Sequence, residues 1–404
     1  MRMFYAAVAA AALWPVAASA NGNTASGSAN GLNWEASSNV VGQTSTGTVA
    51  SGGSPLYLAP NPSGYSGVVG LLMTYSTGGQ FVCSGSLLTS GKILTAAHCV
   101  SDGAWRTPNG VAEGLVRTQV LFQNAASNAA DENIYAFPGG VTAIDVASYN
   151  VHGGYTGEVI DQNDIALLTL SQAAPAFAQA YEIYDQGDLT GDQFNVTGYG
   201  TRSSVGGQQG TDGGFGLGPS RRRQGDNLYD YRLGDAAFNG FFTDARPNGN
   251  QFFGSKASIE YSYISDFDNG TATNSQACRL AAALVAGATA AERTAQATAL
   301  GFCTNGLGLT EVGIAGGDSG GAAFINGRIA SVNSYSLSFG TGFGDFKSGL
   351  QSSWGELNGF VPTFIHADFI AGVPEPGTWA MMILGFGFVG GALRRRGKGQ
   401  LSFA

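Results

Sequence analysis

The stretch Gly316-Gly317-Asp318-Ser319-Gly320-Gly321 decides how the rest of the sequence is interpreted. A Ser between glycines and directly after an Asp is typical of a nucleophile on a tight turn, because Gly adopts backbone angles that other residues avoid. The N–H groups of Gly317 and Ser319 can then point to one spot, which is the geometry of an oxyanion hole. Because the chain has 63 Gly, the stretch alone also fits an ordinary turn with a solvent-facing Ser.

A serine hydroxyl is a poor nucleophile without a base to take its proton, and the chain has only three His. His98 ends the apolar run Ile93-Leu94-Thr95-Ala96-Ala97-His98-Cys99, which predicts a buried strand with a His at its end. Asp164 opens a second apolar run, Asp164–Leu170, and can supply the carboxylate that holds the imidazole in one tautomer. The pattern therefore predicts a nucleophile, a base and an orienting acid.

These segments resemble the chymotrypsin/trypsin-like serine endopeptidases. The matching segments are Thr95–Cys99, Asp164–Leu168 and Gly317–Gly321, and their order of His, Asp and Ser is that of the family. The resemblance implies that Ser319 attacks a peptide carbonyl, His98 moves the proton and Asp164 orients the imidazole, with the N–H groups of Gly317 and Ser319 on the oxyanion. It implies a protein or peptide substrate, an acyl-enzyme intermediate, and no metal or cofactor.

The resemblance extends over residues 65–371 and implies an all-β fold of two six-stranded antiparallel barrels. The first barrel is expected at about residues 65–185 and the second at about 190–371, with a long insertion at 202–275 and a closing helix over Phe364–Ile370. The low charged fraction of 12% and the abundant Gly also favour many short strands. Residues 123–160 are expected to be irregular connections, and the Ala-rich residues 276–301 to be a helix.

Four residues are implied as substrate-binding by their place in the resembled family. Gly313, six positions before Ser319, corresponds to the base of the first specificity pocket, where an acidic residue would favour Lys or Arg. Ser334, Tyr335 and Ser336 correspond to the strand that lines the cleft, and Ser336 stands where the family has Gly. A small or medium apolar side chain is the expected preference.

The sequence departs from the family in one respect that concerns activation. Many members are cut after Lys or Arg, and the new N-terminus pairs with the Asp before the nucleophile, here Asp318. This chain has no Lys or Arg between Arg2 and Lys92. Either another protease cuts near residues 60–68, or Asp318 has a different partner.

Four Cys, an even number, favour two disulfides in an oxidising compartment. Sequence alone leaves three pairings open. Cys83–Cys99 with Cys278–Cys303 is preferred, since it joins neighbours and matches two bridges of the resembled family. A Cys-ligated metal site is disfavoured because the sequence has no C-x-x-C motif.

The remaining charged residues and His suggest no second site. The net charge of −9 argues against nucleic acid as a partner, which needs a basic surface. Arg221-Arg222-Arg223 is expected in a solvated loop, within the Gly-rich stretch 202–225. Asp161 is expected to be solvated, His152 to be a surface or loop-packing residue, and His366 to lie at the surface.

Both ends of the chain carry export signals. Residues 1–20 predict a secretory signal peptide, with Arg2 before an apolar run and Ala18-Ser19-Ala20 at the cleavage site. Residues 21–64, rich in Gly, Ser, Asn and Thr, are expected to be an extended or poorly ordered leader. At the other end, 372–404 contains Val373-Pro374-Glu375-Pro376-Gly377-Thr378-Trp379, an apolar run Met381–Leu393 and Arg394-Arg395-Arg396.

This tail resembles the PEP-CTERM sorting signal of Gram-negative bacteria. The resemblance implies a short transmembrane helix that anchors the chain transiently in the inner membrane, until an exosortase-type enzyme removes it. The protein is then expected in the Gram-negative cell envelope or on the extracellular surface. A permanent membrane anchor is the alternative.

The sequence also allows two other functions, both less well supported. The motif Gly317–Gly321 also fits the nucleophile elbow of an α/β-hydrolase, with Asp345 and His366 as partners, but the interval from Ser319 to His366 leaves little room for the remaining strands and helices of such a sheet. That esterase-like reading also leaves His98 and Asp164 unexplained. A non-catalytic surface protein on a protease scaffold is the second alternative, and the complete set of His98, Asp164 and Ser319 argues against it.

Overall fold

The computed structural model describes residues 24–37, 42–43, 57, 59, 64–124, 133–210, 216–219, 221–304, 306–314 and 316–372. The predicted signal peptide and the tail after residue 372 lie outside the described residues. Within the described residues, no helix has the length and apolar character needed to span a membrane.

The described part of the chain is mostly β-structure. Its strands are β1 (Thr24–Ala29), β2 (Leu32–Ser37), β3 (Gly42–Gln43), β4 (Val68–Tyr75), β5 (Gln80–Leu87), β6 (Lys92–Thr95), β7 (Leu115–Gln123), β8 (Val141–Val151), β9 (Ala166–Leu170), β10 (Gln193–Gly198), β11 (Thr201–Ser203), β12 (Gly216–Pro219), β13 (Arg223–Leu228), β14 (Tyr231–Arg232), β15 (Tyr263–Phe267), β16 (Ala322–Ile325), β17 (Arg328–Ser338) and β18 (Glu356–Pro362). Its α-helices are α1 (Gln276–Leu284), α2 (Ala290–Ala299) and α3 (Ala367–Ala371).

The first half of the fold is a closed antiparallel barrel with the strand order β4-β5-β6-β9-β8-β7. Its interior is filled by apolar side chains such as Leu71, Ile93 and Leu168, which are fully buried. The prediction of irregular connections over residues 123–160 is wrong, because β8 lies there and closes the barrel. A register shift between Val146 and Ser148 interrupts the alternation of apolar and polar residues in β8, so the two-residue period of a strand is hard to see in its sequence.

The second half is a nine-stranded antiparallel sheet rather than a second closed barrel. Seven of its strands follow the order β13-β10-β16-β17-β18-β15-β14, and the hairpin β1–β2 joins it through β17. The described strands therefore close one of the two predicted barrels and leave the other open. The predicted extra strands of the insertion are present as β14 and β15, which extend this sheet.

The described part of the chain contains three short α-helices. The Ala-rich segment forms two helices, α1 and α2, instead of the single one expected, and α2 begins at a capping box made by Thr289 and Glu292. The predicted closing helix is a 3₁₀ turn, Phe364–His366, followed by the short α3. Helix α1 packs its buried face on β15 and β18.

The leader contains ordered structure where little was expected. Residues 24–37 form the antiparallel hairpin β1–β2 around a turn at Asn30 and Gly31, both with positive φ. In β2, Leu32, Trp34 and Ala36 are buried while Asn33 and Glu35 are exposed. This alternation is typical of a strand with one face on the core. Because it is short and surrounded by Gly, Ser and Asn, it gives only a weak signal in the sequence.

Four carboxylic acids are buried together beside β15. They are Asp230, Asp266, Asp268 and Glu311. Burial raises the pKa of Asp230 to about 7 and also raises the pKa values of the other three, and the neighbouring acids add to the rise for Asp230, Asp266 and Glu311. The folded protein therefore holds protons here that the unfolded chain would release near pH 4.

These raised pKa values predict that Asp230→Asn becomes stabilising relative to the wild type as pH rises. At pH 4 both side chains are neutral, whereas toward pH 7 the wild type must ionise Asp230 or keep its proton, and the difference should grow by about 1 kcal/mol per pH unit. The Asn oxygen can still accept the bond that the Asp266 N–H gives to Asp230 Oδ2 at 2.8 Å. Urea unfolding of both proteins at pH 4, 5.5 and 7 tests this, and a difference that is constant with pH would contradict it.

Candidate active site

Glycines of the turn Gly316–Gly321 adopt the backbone angles that the turn around Ser319 requires. Gly317 has a φ of +98° and Gly320 a φ of +80°, both in the left-handed region that favours glycine. Gly320 also passes so close to the barrel that an added Cβ would lie 2.0 Å from Thr95 Oγ1. The glycines are therefore needed both for backbone angle and for close approach.

The turn is hydrogen-bonded to both halves of the fold. From the barrel, Ser84 donates its backbone N–H to the carbonyl of Ser319 at 2.8 Å and its hydroxyl to the carbonyl of Gly317 at 2.7 Å. From the sheet, the carbonyl of Asn333 accepts the Gly320 N–H at 2.9 Å, and Asn333 Nδ2 donates to the Asp318 carbonyl at 3.1 Å. Ser319 thus lies where the barrel meets the sheet.

His98 and Asp164 form a buried pair at the rim of the barrel. His98 lies on the 3₁₀ turn Ala97–Cys99 directly after β6, and Asp164 lies just before β9, which pairs with β6. The imidazole Nδ1 is 2.6 Å from Asp164 Oδ2, and the His98 backbone N–H donates to Oδ1 at 2.8 Å. A carboxylate only accepts, so this contact places the imidazole proton on Nδ1.

The other imidazole nitrogen of His98 has no hydrogen-bond partner among the described residues, although it is buried. Fixing the proton on Nδ1 leaves this Nε2 as the basic nitrogen, which is the arrangement that general-base catalysis requires. Ser334 adds a further donor, because its hydroxyl lies 2.6 Å from Asp164 Oδ2. The carboxylate is therefore held by three donors.

The predicted disulfides Cys83–Cys99 and Cys278–Cys303 are both present. The first joins β5 to the turn that carries His98, and its Cys99 Sγ lies 3.7 Å from the Ser319 carbonyl oxygen. Ligand atoms of Cys83, Cys99 and His98 lie within 4.8 Å of one another, as in a metal site. Both sulfurs are bonded to each other, however, so neither is available as a thiolate ligand.

Asp318 lies against an arginine of the same chain. Its Oδ1 accepts the Gly200 N–H at 2.7 Å, and its Oδ2 is 3.9 Å from Arg223 Nη2. Arg223 also donates to the carbonyls of Gly200 at 2.6 Å and Thr201 at 3.1 Å. Burial lowers the pKa of Arg223 to about 10, which leaves it cationic at pH 7.

The expectation that Arg221, Arg222 and Arg223 form a solvated loop is wrong, since all three are buried. Arg223 begins β13, whose partner β10 leads to Gly200 at the Asp318 carboxylate. Of the two explanations for the missing tryptic site, the geometry supports a different cationic partner for Asp318.

The structure brings only some of the four predicted substrate-binding residues to the site. Ser334 contacts Asp164, and Ser336 pairs with Ser37 of the leader. The Tyr335 side chain lies in the core, with its hydroxyl 2.7 Å from Ser262 Oγ. Gly313 lines a cavity of about 20 Å³ next to Asp318 and Arg223, room for about one water molecule.

Of three polar residues that were predicted to lie outside the site, two have a different environment from the one predicted. Asp161 is buried rather than solvated, bonded to Thr156 and Asn163. His366 is buried rather than at the surface, with Nε2 2.7 Å from the Gln162 carbonyl oxygen, and burial lowers its pKa to about 4. His152 packs on it as a loop-packing residue, with ring centroids 4.7 Å apart.

The esterase-like reading needs Asp345 to contact His366. Asp345 instead accepts from the Ser338 and Ser353 hydroxyls, while His366 bonds to Gln162 as above. The antiparallel barrel and sheet also differ from the parallel sheet of an α/β-hydrolase.

Comparison with known families agrees with this arrangement. Residues 67–213 match the Trypsin family model. The match spans the closed barrel with His98 and Asp164 and ends before the nucleophile turn. Residues 372–396 match the PEP-CTERM protein-sorting motif. The resemblances to a trypsin-like peptidase and to a PEP-CTERM signal are thereby confirmed, and the sorting motif indicates export through the cell envelope.

Two contacts of the site had no signal in the local sequence. Ser334 was expected only to line the cleft, yet its hydroxyl holds Asp164, 170 positions away along the chain. Arg223 was expected in solvent, yet it lies beside Asp318. The only available sign for Arg223 was that the sequence offers no tryptic cut, which leaves Asp318 in need of another cation.

Proposed function

We propose that this protein is an exported serine endopeptidase that cleaves peptide bonds through His98, Asp164 and Ser319. The observation that carries the proposal is the buried 2.6 Å contact of His98 Nδ1 with Asp164 Oδ2, in a barrel whose disulfide reaches the Ser319 backbone. The match of residues 67–213 to the Trypsin model supports a serine-type peptidase in general.

In the proposed reaction, Ser319 Oγ attacks the substrate carbonyl while His98 Nε2 accepts the hydroxyl proton. Asp164 stabilises the imidazolium that forms, and the N–H groups of Gly317 and Ser319 bind the oxyanion. His98 then gives the proton to the leaving amine, and water releases the acyl group from Ser319 by the same route. This chemistry requires no metal or cofactor.

The proposal assigns the domain and the substrate site as follows. The protease domain is residues 65–371, with the leader at 21–64 before it, the first half at about 65–185 and the second at about 190–371. The backbone of Ser334, Tyr335 and Ser336 binds the peptide, and Gly313 bounds a pocket for a small or medium apolar side chain. The sorting-motif match supports recognition of the tail 372–404 by an exosortase-type enzyme, and we further propose that this tail is anchored transiently in the inner membrane.

A fluorophosphonate probe tests the proposal directly, because it reacts only with an activated serine. We expect mass spectrometry to find the adduct on Ser319 in the purified full-length protein, and labelling to fall at least about 100-fold in His98→Ala. His152→Ala is the matched control and should label at the wild-type rate. Absence of labelling before and after limited proteolysis near residues 60–68 would favour a non-catalytic scaffold and overturn the proposal.

A further inference from the structure

Along the candidate active site, the backbone edge of β17 bonds to three parts of the molecule in succession, and the Ser334 side chain contacts a fourth. Up to Val332 it pairs with β16. The next residue, Asn333, exchanges backbone hydrogen bonds with Gly320 and Gly321 of the nucleophile turn, at 2.9 Å each. Ser334 then contacts Asp164, and from Ser336 onward the edge pairs with β2. The leader hairpin therefore pairs with the same edge of β17 as the nucleophile turn, a few residues farther along the strand.

The pairing of β2 with β17 is antiparallel and spans three residues. Ser37 faces Ser336, Ala36 faces Leu337 and Glu35 faces Ser338. An extended peptide that lay beside Ser319 and ran along this edge would need the same backbone groups, because strand addition uses the free N–H and C=O groups of an edge. At Ser336, strand β2 of the hairpin already pairs with the backbone groups that such a peptide would need.

The leader also pairs with β11, the strand that bonds to the start of the nucleophile turn. Strand β3 pairs in parallel with Arg202 and Ser203 of β11, and the neighbouring Thr201 donates its N–H to Gly316 at 2.7 Å. Ser37 and Gly42 are five positions apart, so the chain between them can span at most about 18 Å. Strands β2 and β3 of the leader thus each pair with a strand that is itself hydrogen-bonded to the turn that carries Ser319.

Side-chain packing holds the hairpin in this place. The buried face of β2 lies in the same apolar cluster as Leu337 and Phe339 at the end of β17. Trp34 packs edge-on against Phe253, with ring centroids 5.1 Å apart. An added Cβ on Gly27 of β1 would lie 2.9 Å from the Trp34 ring, so the hairpin also closes over its own tryptophan.

We propose that the N-terminal hairpin is a built-in inhibitor that occupies the peptide-binding edge and excludes protein substrates until it is displaced. This inference rests on the proposed function, because it assigns a regulator to the same site. It predicts that a small reagent reaches Ser319 while a long peptide does not. Loosening the hairpin should then raise proteolysis without changing the reactivity of the serine.

The test compares three full-length proteins, namely the wild type, the loosened variant Leu32→Ala/Trp34→Ala and the control Asn33→Ala, which changes an exposed side chain of the same strand. Each is assayed for fluorophosphonate labelling of Ser319 and for cleavage of an unfolded, fluorescently labelled protein. We expect equal labelling rates in all three, within about threefold, and at least tenfold faster cleavage by the loosened variant only. Equal cleavage with equal labelling would overturn the inference and leave the proposed function standing.

Absence of labelling in all three proteins would instead overturn the proposed function, and this inference with it. Cooperative thermal unfolding of each protein shows whether a variant is folded, and Trp34→Ala alone is the milder substitute if the double variant is not. As an independent readout, a synthetic peptide of residues 24–37 added to the loosened variant should raise KM for the protein substrate without lowering kcat. A shuffled peptide of the same composition should have no effect, and equal effects of the two peptides would count against a specific inhibitor.

Discussion

Replacing Asp164 with Asn is expected to lower kcat toward peptide and ester substrates about 10⁴-fold while KM changes little. Three donors converge on this carboxylate, namely His98 Nδ1, the His98 N–H and the Ser334 hydroxyl. An amide presents its own N–H to one of them, so the imidazole is driven to the tautomer with its proton on Nε2. That tautomer cannot accept the proton of Ser319, and the loss falls on the chemical step.

Asp161→Asn is the matched control for this variant. Asp161 lies three positions earlier, is buried as well and also accepts three hydrogen bonds, but its donors are Thr156 and Asn163 rather than His98. Its substitution should affect stability while leaving kcat within about tenfold of the wild type. Equal losses of kcat in the two variants would show that Asp164 acts through folding and would contradict its role at His98.

Ser334→Ala separates the third donor from the other two. It removes one hydrogen bond to Asp164 and keeps both contacts from His98, so a smaller loss of about tenfold in kcat is expected, since a hydrogen bond to a charged group contributes about 1.5–3 kcal/mol and part of this is regained by water. The ordering of the two variants is informative, because a larger effect at Ser334 than at Asp164 would not fit an orienting carboxylate.

The parts of the site that the sequence predicts are those whose signals are local. His98 follows its strand at once, Asp164 precedes its own, and the two strands β6 and β9 are neighbours in the barrel. Apolar runs of four to six residues mark both strands, so the pairing brings the two side chains together. The disulfides follow from the same proximity, together with the small number of Cys.

The features that escaped prediction depend on contacts between distant segments. Whether Arg223 is solvated depends on Asp318, which lies far along the chain, and nothing in three successive arginines indicates a buried carboxylate nearby. The ordered hairpin of the leader depends on β17. This strand gives β2 an edge to pair with, and the apolar cluster at its end gives Trp34 a core to pack in. Closure of the second barrel likewise depends on which strands meet across the sheet, and among the described strands β13 at one end does not pair with β15 or β14 at the other.

The ion pair of Arg223 with Asp318 leads to the second large expected effect. Arg223→Met should destabilise the protein by about 3–5 kcal/mol, because it removes a cationic partner of a buried carboxylate. The pair is nearly inaccessible to solvent, with side chains 6% and 9% exposed. The variant also removes the donors to the Gly200 and Thr201 carbonyls, and since Asp318 precedes Ser319, fluorophosphonate labelling should slow as well.

Arg328→Met is the control, because it breaks a shorter arginine–carboxylate pair, 3.3 Å to Glu182, whose side chains are more than half exposed. Exposed pairs contribute at most about 1 kcal/mol, so urea unfolding should detect little change. The double variant Arg223→Met/Asp318→Asn decides whether the charge matters, since removing both charges should restore part of the lost stability. If the double variant regains stability but not labelling, Asp318 must be charged to hold the turn in its reactive form. If Arg223→Met costs no more than Arg328→Met, the charge of Asp318 is balanced elsewhere, and activation by a cut in the leader becomes the better explanation.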